Sequence, residues 1–278
     1  MILGAGEIGG AATRQLAAAA VASRIVLVDD VEGVASGTAL DVAQAAPVDH
    51  YGVSIVGGAD VSAVAGAAVI VVADRAGQPS GEWRDEEGLA LLKRVAGFNQ
   101  LAPIVIAGTA QAALVERGVG ELGIARTRLF GSAPEALRSA VVAMTALEAG
   151  AAPSDISLLV VGRPPQQVVV PWDEASIAGR PATRVLSAAQ LARLDARVAR
   201  LWPPGPHTLG SAAARLIVTA LTRAPRVHVA LVALTREEGA PGRAAMMPVT
   251  LNPTGVAQLI APALSSRDRV RLETTLRA

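Results

Sequence analysis

The chain has 278 residues, enough for a full hydrophobic core and for two domains. Its 25 basic and 24 acidic residues are well mixed, leaving a formal net charge of +1, and only 2% of residues are aromatic. That balance excludes a nucleic-acid surface built on a basic stripe and stacking rings. The absence of cysteine excludes disulfides, thiolate metal sites and cysteine nucleophiles, and the scattered His50, His207 and His228 argue against zinc, so no metal is expected.

Only Met1, Ile2 and Leu3 precede Gly4. A first strand usually has about five or six residues, so the start is expected to be trimmed or misassigned. Gly4-Ala5-Gly6-Glu7-Ile8-Gly9 follows. The first glycine suits a tight turn out of a strand, and the second allows close approach of a diphosphate. The third lets the next helix pack tightly with its first amides, those of Glu7 and Ile8 among them, facing the phosphates. A helix over 11–22 and a buried strand over 25–28 lead to Asp29 and Asp30. Asp29 lies twenty residues past Gly9, where an acid binds both ribose hydroxyls and repels a 2′-phosphate. The pattern therefore predicts NAD rather than NADP; the competing reading is a tight turn followed by an ordinary surface acid.

Further along, a helix is expected over 37–45, strands over 53–56, 69–72 and 104–106, and helices over 86–96 and 110–120. A short strand over 128–130 completes an alternation that signals a parallel sheet covered by helices. Continuous apolar strands fit a sheet buried on both faces. The apolar stretch from Val61 to Ala73 is broken by Ser62 and Gly66 and is shorter than the roughly 20 residues of a membrane helix. No signal peptide is read at the start, so a soluble cytoplasmic protein with no membrane partner is expected. Past Ala133 the character changes. Pro134 opens a long helix to Glu148, strands follow over 156–161 and 168–170, and Ser187 to Gln190 has capping-box spacing before a helix carried by Leu191, Leu194 and Val198. Trp202-Pro203-Pro204-Gly205-Pro206 stops it. A helix over 211–222, strands over 227–234 and 247–251, and a last helix from about 266 complete the chain. The predicted fold class is α/β: a Rossmann doubly wound parallel sheet over 1–133, then an α+β domain over 134–278.

The ordered succession of segments resembles the lactate/malate dehydrogenase family over essentially the whole chain. Val28-Asp29-Asp30-Val31-Glu32-Gly33 with Ala39-Leu40-Asp41-Val42 resembles that family's segment after the second strand. Gln78-Pro79-Ser80-Gly81-Glu82-Trp83-Arg84 is similar to its mobile loop, and Gly131 to Arg138 to the motif opening its catalytic domain. Pro248-Val249-Thr250-Leu251-Asn252-Pro253-Thr254-Gly255-Val256 is similar to its closing strand and turn. The resemblance implies hydride exchange between NAD and a small 2-hydroxy or 2-keto acid in a homodimer or homotetramer. Such chemistry needs an acid/base near neutral pKa, a guanidinium for the substrate carboxylate and a second cation at the carbonyl.

By that resemblance Arg138 grips the carboxylate, Arg84 polarises the carbonyl, and Glu135 replaces the aspartate that orients the catalytic histidine. The competing readings are a helix-surface arginine paired with Glu135, a solvated Arg84 among acids, and a first-turn helix acid. Where the family places Gly-x-His-Gly-Asp, this chain reads Gly162-Arg163-Pro164-Pro165-Gln166-Gln167, with no histidine. Gly108-Thr109 stands where the family has Asn-Pro, leaving Gly108 to line the cofactor, and Arg75 stands where it has a glycine. His207 is a candidate relocated acid/base; the alternative is a histidine that merely flanks a helix. Gln78 resembles the lactate branch, because a neutral amide does not compensate a second carboxylate, while the upstream segments look more like malate enzymes. Two functions stay open: a divergent oxidoreductase, or a non-catalytic NAD(H)-binding protein on the same scaffold.

Overall fold

A computed structural model of the chain describes residues 1–31, 33–77 and 81–277. The first half runs β1 (Ile2–Leu3), α1 (Glu7–Ala19), β2 (Arg24–Val28), α2 (Val34–Asp49), β3 (Ser54–Gly58), β4 (Ile70–Val72), α3 (Asp85–Phe98), β5 (Ile104–Ile106), α4 (Gln111–Gly120) and β6 (Leu129–Gly131). The second half begins with α5 (Ala133–Ala149), β7 (Ile156–Ser157), β8 (Val161–Arg163), β9 (Gln167–Val169), β10 (Ser176–Ile177), β11 (Arg180–Pro181) and α6 (Ala182–Val185). It closes with α7 (Ala188–Val198), α8 (Pro206–Thr222), β12 (His228–Ala233), β13 (Ala244–Asn252), β14 (Gly255–Leu259) and α9 (Ser266–Arg277).

The large sheet has the order β3-β2-β1-β4-β5-β6-β12-β13-β8-β9, with β14 beside β13. From β3 to β6 every pairing is parallel, so these strands end on one edge of the sheet. From β6 onward the pairings are antiparallel, beginning with Leu231 opposite Gly131. Alternation along each parallel strand sends neighbours to opposite faces, and both faces are buried. Ile2, Leu27, Val71, Val105 and Phe130 join a core with α1 and α8, while Leu3, Val28, Val72, Ile106 and Leu129 join another with α3 and α4. Helix α8 lies close on α1 because Gly210 has no side chain: a Cβ there would stand 2.7 Å from the Ala12 amide nitrogen and 2.8 Å from the Ile8 carbonyl.

Two expected elements differ. The strand over 156–161 is two strands in different sheets: β7 pairs with β10 in a small sheet, and β8 pairs with β9 and β13 in the large one. Helix α8 starts at Pro206 rather than residue 211, because extended Gly205 serves as N-cap and Pro206, lacking an amide proton, tolerates the first turn. The expected capping box forms, with Ser187 and Gln190 bonding reciprocally. Among the described residues no helix is long and apolar enough to cross a membrane. A recess of about 490 Å³ is lined by residues including Leu16, Val21, Ile25, Ile217 and Leu221. It opens at the amino ends of the parallel strands, away from their carboxyl edge.

Candidate functional site at the carboxyl edge of the parallel sheet

The loops after β1, β2, β4, β5 and β6 meet at the carboxyl edge, where a doubly wound sheet binds ligands. Each brings a short piece of chemistry. After β1, Gly4 takes φ +107°, and a Cβ there would collide with the Asp74 carbonyl. The Gly4 amide donates to Val28 O at 2.7 Å, tying the turn to β2. A Cβ on Gly9 would strike the Gly4 carbonyl, so only glycine lets α1 start this close to the turn. Glu7 is exposed at the first position of α1 and Ile8 is buried just behind it. This backbone is the tight turn that the glycine spacing predicts, and the first amides of α1 make it a cradle.

Asp74, directly after β4, occupies the cradle. Its Oδ1 accepts hydrogen bonds from the Ile8 and Gly9 amides, each at 3.0 Å, and its carbonyl accepts one from Gly6 at 2.9 Å. A Cβ on Gly6 would run into the Asp74 carboxylate. Burial pushes the Asp74 carboxyl above its usual range, against the pull of the surrounding amides. A helix N-terminus concentrates unpaired amides and positive potential, so it holds whichever anion reaches it. Here that anion is a side chain of the protein.

Asp29 lies at the end of β2, as expected, and is buried. Its Oδ2 accepts from the Ala5 amide at 2.7 Å and the Ala76 amide at 3.0 Å, and its Oδ1 from the Val31 amide at 3.0 Å. The carboxylate thus staples the loops after β1, β2 and β4 together. Asp30 next to it is exposed.

Another internal carboxylate, carried between β4 and α3, reaches the residues that follow β5. Glu82 Oε2 accepts from the Thr109 and Ala110 amides, both at 2.8 Å, and Oε1 accepts from the Thr109 hydroxyl at 2.9 Å. A Cβ on Gly108 would stand 2.7 Å from the Glu82 carboxyl carbon, so Gly108 makes room for this contact. Glu82 and Trp83 leave no volume for a water molecule against Val72, Ile106 and Gly108. Arg75 stacks on Trp83, 4.5 Å from the ring centre, and pairs with Glu87 on α3 at 3.0 Å.

Helix α5 carries Glu135 and Arg138. Arg138 Nη2 donates to Glu135 Oε1 at 2.7 Å and Nε to Oε2 at 3.0 Å, a bidentate pair using one edge of the guanidinium. Glu135 is buried and also accepts from the Val229 amide at 3.0 Å and from His228 Nδ1 at 3.1 Å. Burial alone raises a carboxyl pKa, but the bonds from His228 and Arg138 outweigh it and hold Glu135 at about 2. The ionised carboxylate only accepts, so Nδ1 of His228 carries a proton; its Nε2 lies 2.9 Å from the Thr219 hydroxyl.

The structure pairs Glu135 with Arg138, as the competing reading of that arginine has it, and joins both to His228, to which the sequence reading gives no role. The buried His228 is held between Glu135 and Thr219. Arg84 is exposed at the N-cap of α3, and His207 is exposed in the first turn of α8; among the described residues neither side chain has a hydrogen-bond partner. Arg163, in the segment where a histidine is missing, pairs with Glu116 at 3.1 Å. Glu32, Gln78, Pro79 and Ser80, which carried part of the resemblance, lie outside the described residues. Asp74 and Glu82 were not predicted as site residues. Their one legible signal was an acid beside the glycine turn's neighbouring strand end.

Comparison with known proteins agrees with this layout. Residues 1–97 match the family model described as lactate/malate dehydrogenase, NAD binding domain. The chain is 27% identical to malate dehydrogenase of Thermomicrobium roseum, covering 100% of this chain and 94% of that protein. It is 24% identical to malate dehydrogenase of Trichormus variabilis, covering 99% and 89%. Among solved structures, malate dehydrogenase from Aeropyrum pernix superposes with a TM-score of 0.89 at 16% identity, covering 99% of this chain and 94% of that one. Lactate dehydrogenase from Cryptosporidium parvum, complexed with lactic acid and nicotinamide adenine dinucleotide, gives 0.88 at 19% identity, covering 99% and 93%. At these identities the superpositions establish the shared fold.

Proposed function

Because the chain belongs to the lactate/malate dehydrogenase family, we propose that it is an oxidoreductase exchanging a hydride between NAD and a small 2-hydroxy or 2-keto acid, slowed by the loss of the family's histidine. NAD is the cofactor of the domain that its first 97 residues match. The observation carrying the reading is the Glu135–Arg138 pair: Glu135 uses the Nε and Nη2 edge of the guanidinium, and a carboxylate on the Nη1 and Nη2 edge would replace the 3.5 Å contact of Nη1 with the Leu158 carbonyl.

The glycine turn and the Ile8 and Gly9 amides would hold the cofactor's diphosphate, Asp29 a ribose, and Gly108 would line its far end. The bound cofactor supplies the hydride position. Arg138 holds the substrate carboxylate, Glu135 positions Arg138, and Arg84 meets the carbonyl oxygen as charge grows there. Proton exchange falls to exposed His207 or to water. The cofactor part is assigned to 1–133 and the substrate part to 134–278, with the division between β6 and α5, in a cytoplasmic homodimer or homotetramer.

A positioned acid/base contributes about 10²–10⁴-fold, and turnover is expected to fall short of histidine-bearing relatives by that factor. The test follows NADH absorbance with pyruvate, oxaloacetate and bulkier 2-keto acids under saturating NADH. Slow NADH oxidation with one of these acids supports the reading. Bound NADH without reduction of any acid contradicts it and favours the second reading, a non-catalytic NAD(H)-binding protein, which the composition of residues 162–167 supports.

A further inference from the structure

We propose that Asp74 is an internal competitor for the diphosphate seat, whose carboxylate must leave the first turn of α1 before a dinucleotide settles on the glycine loop. This rests on the NAD-binding reading of that loop. The seat consists of the Ile8 and Gly9 amides, which point at Asp74 Oδ1 at 3.0 Å each. Two anions cannot share those donors: a phosphate oxygen there would lie within contact distance of a carboxylate of the same sign.

Nearby groups reinforce the occupant. The Gly6 amide donates to the Asp74 carbonyl, so side chain and backbone are held by the same turn. Asp74 pairs as an isolated antiparallel bridge with Glu82, and Glu82 in turn accepts from the Thr109 and Ala110 amides. The segment is thus clasped at the starts of both α1 and α4. Arg75, the adjacent cation, is committed to Trp83 and Glu87, so its charge is directed toward α3. A ligand bearing a diphosphate must break the Asp74 contacts; a ligand without phosphate need not.

Binding titrations with the full chain separate these cases. Asp74→Ala and Asp74→Asn are compared with the parent for NADH, for ADP-ribose as a diphosphate probe and for adenosine as a phosphate-free one, each by calorimetry. Asp74→Ala is expected to bind NADH and ADP-ribose at least tenfold tighter, with a smaller gain for Asp74→Asn and adenosine changed less than threefold. NADH and ADP-ribose affinities within threefold of the parent in both variants would overturn the proposal, as would an equal gain for adenosine. If Asp74→Ala does not fold, the near-isosteric Asp74→Asn carries the test, with a gain of threefold or more for the two diphosphates required. Tighter NADH binding without keto-acid reduction would leave this proposal standing and remove the oxidoreductase reading.

Discussion

Glu135 shows how one buried residue ties stability to site geometry. It accepts bonds from Arg138, His228 and the Val229 amide, which leaves little of its acceptor capacity unused. Its pKa is depressed from 4.5 to about 2. The stabilisation is therefore complete above pH 4.5 and is lost as pH falls through about 2, because the unfolded chain takes up the proton first. Glu135→Gln is expected to cost about 3 kcal/mol at pH 7, since it leaves Arg138 and His228 facing a neutral amide. In parallel denaturant melts the gap to the parent should narrow between pH 4.5 and 2; a gap constant with pH would refute the assignment. His207 poses a separate question, being exposed and outside this network. If His207 hands over the proton, His207→Ala lowers keto-acid turnover several-fold with NADH affinity unchanged, and unchanged turnover would assign the proton to water.

Elements were the most legible level, for reasons visible in particular segments. The strands over 104–106 and 25–28 are continuous apolar runs flanked by breakers, and both form where expected. The stretch over 156–161 looks equally apolar, yet it divides because pairing partners far along the chain, β10 and β13, decide which sheet each half joins. Local pattern carries no such information. The same holds for Asp74 and Glu82, whose partners are backbone amides 65 and 28 residues away. Backbone amides have no sequence signature. The Glu135–His228 contact spans 93 residues and was equally hidden.

Packing between elements gives a sharp test, because two helical glycines differ only in surroundings. Alanine is favoured over glycine in a helix by about 0.8–1 kcal/mol. Around Gly37 on α2 a Cβ meets nothing within 4 Å, so Gly37→Ala is expected to stabilise by about that amount. At Gly210 the added carbon would press on α1 backbone at 2.7 Å, which cannot rotate away. Gly210→Ala is expected to destabilise by about 1–3 kcal/mol despite the better propensity. Thermal melts of the pair moving in the same direction would contradict the α1–α8 packing.

At the scale of the whole molecule, the strand order β3-β2-β1-β4-β5-β6 gathers the glycine turn, Asp29, Asp74, Gly108 and α5 along one edge although they span most of the first half of the chain. The sequence made this edge legible through its glycines and its acid. It did not make legible that the edge is filled by the chain's own carboxylates. A crystal structure of the Asp74→Ala variant grown with NADH is the most direct measurement. The account predicts the diphosphate on the Ile8 and Gly9 amides with a ribose beside Asp29. NADH bound elsewhere, or those amides left to solvent at saturating NADH, would contradict it.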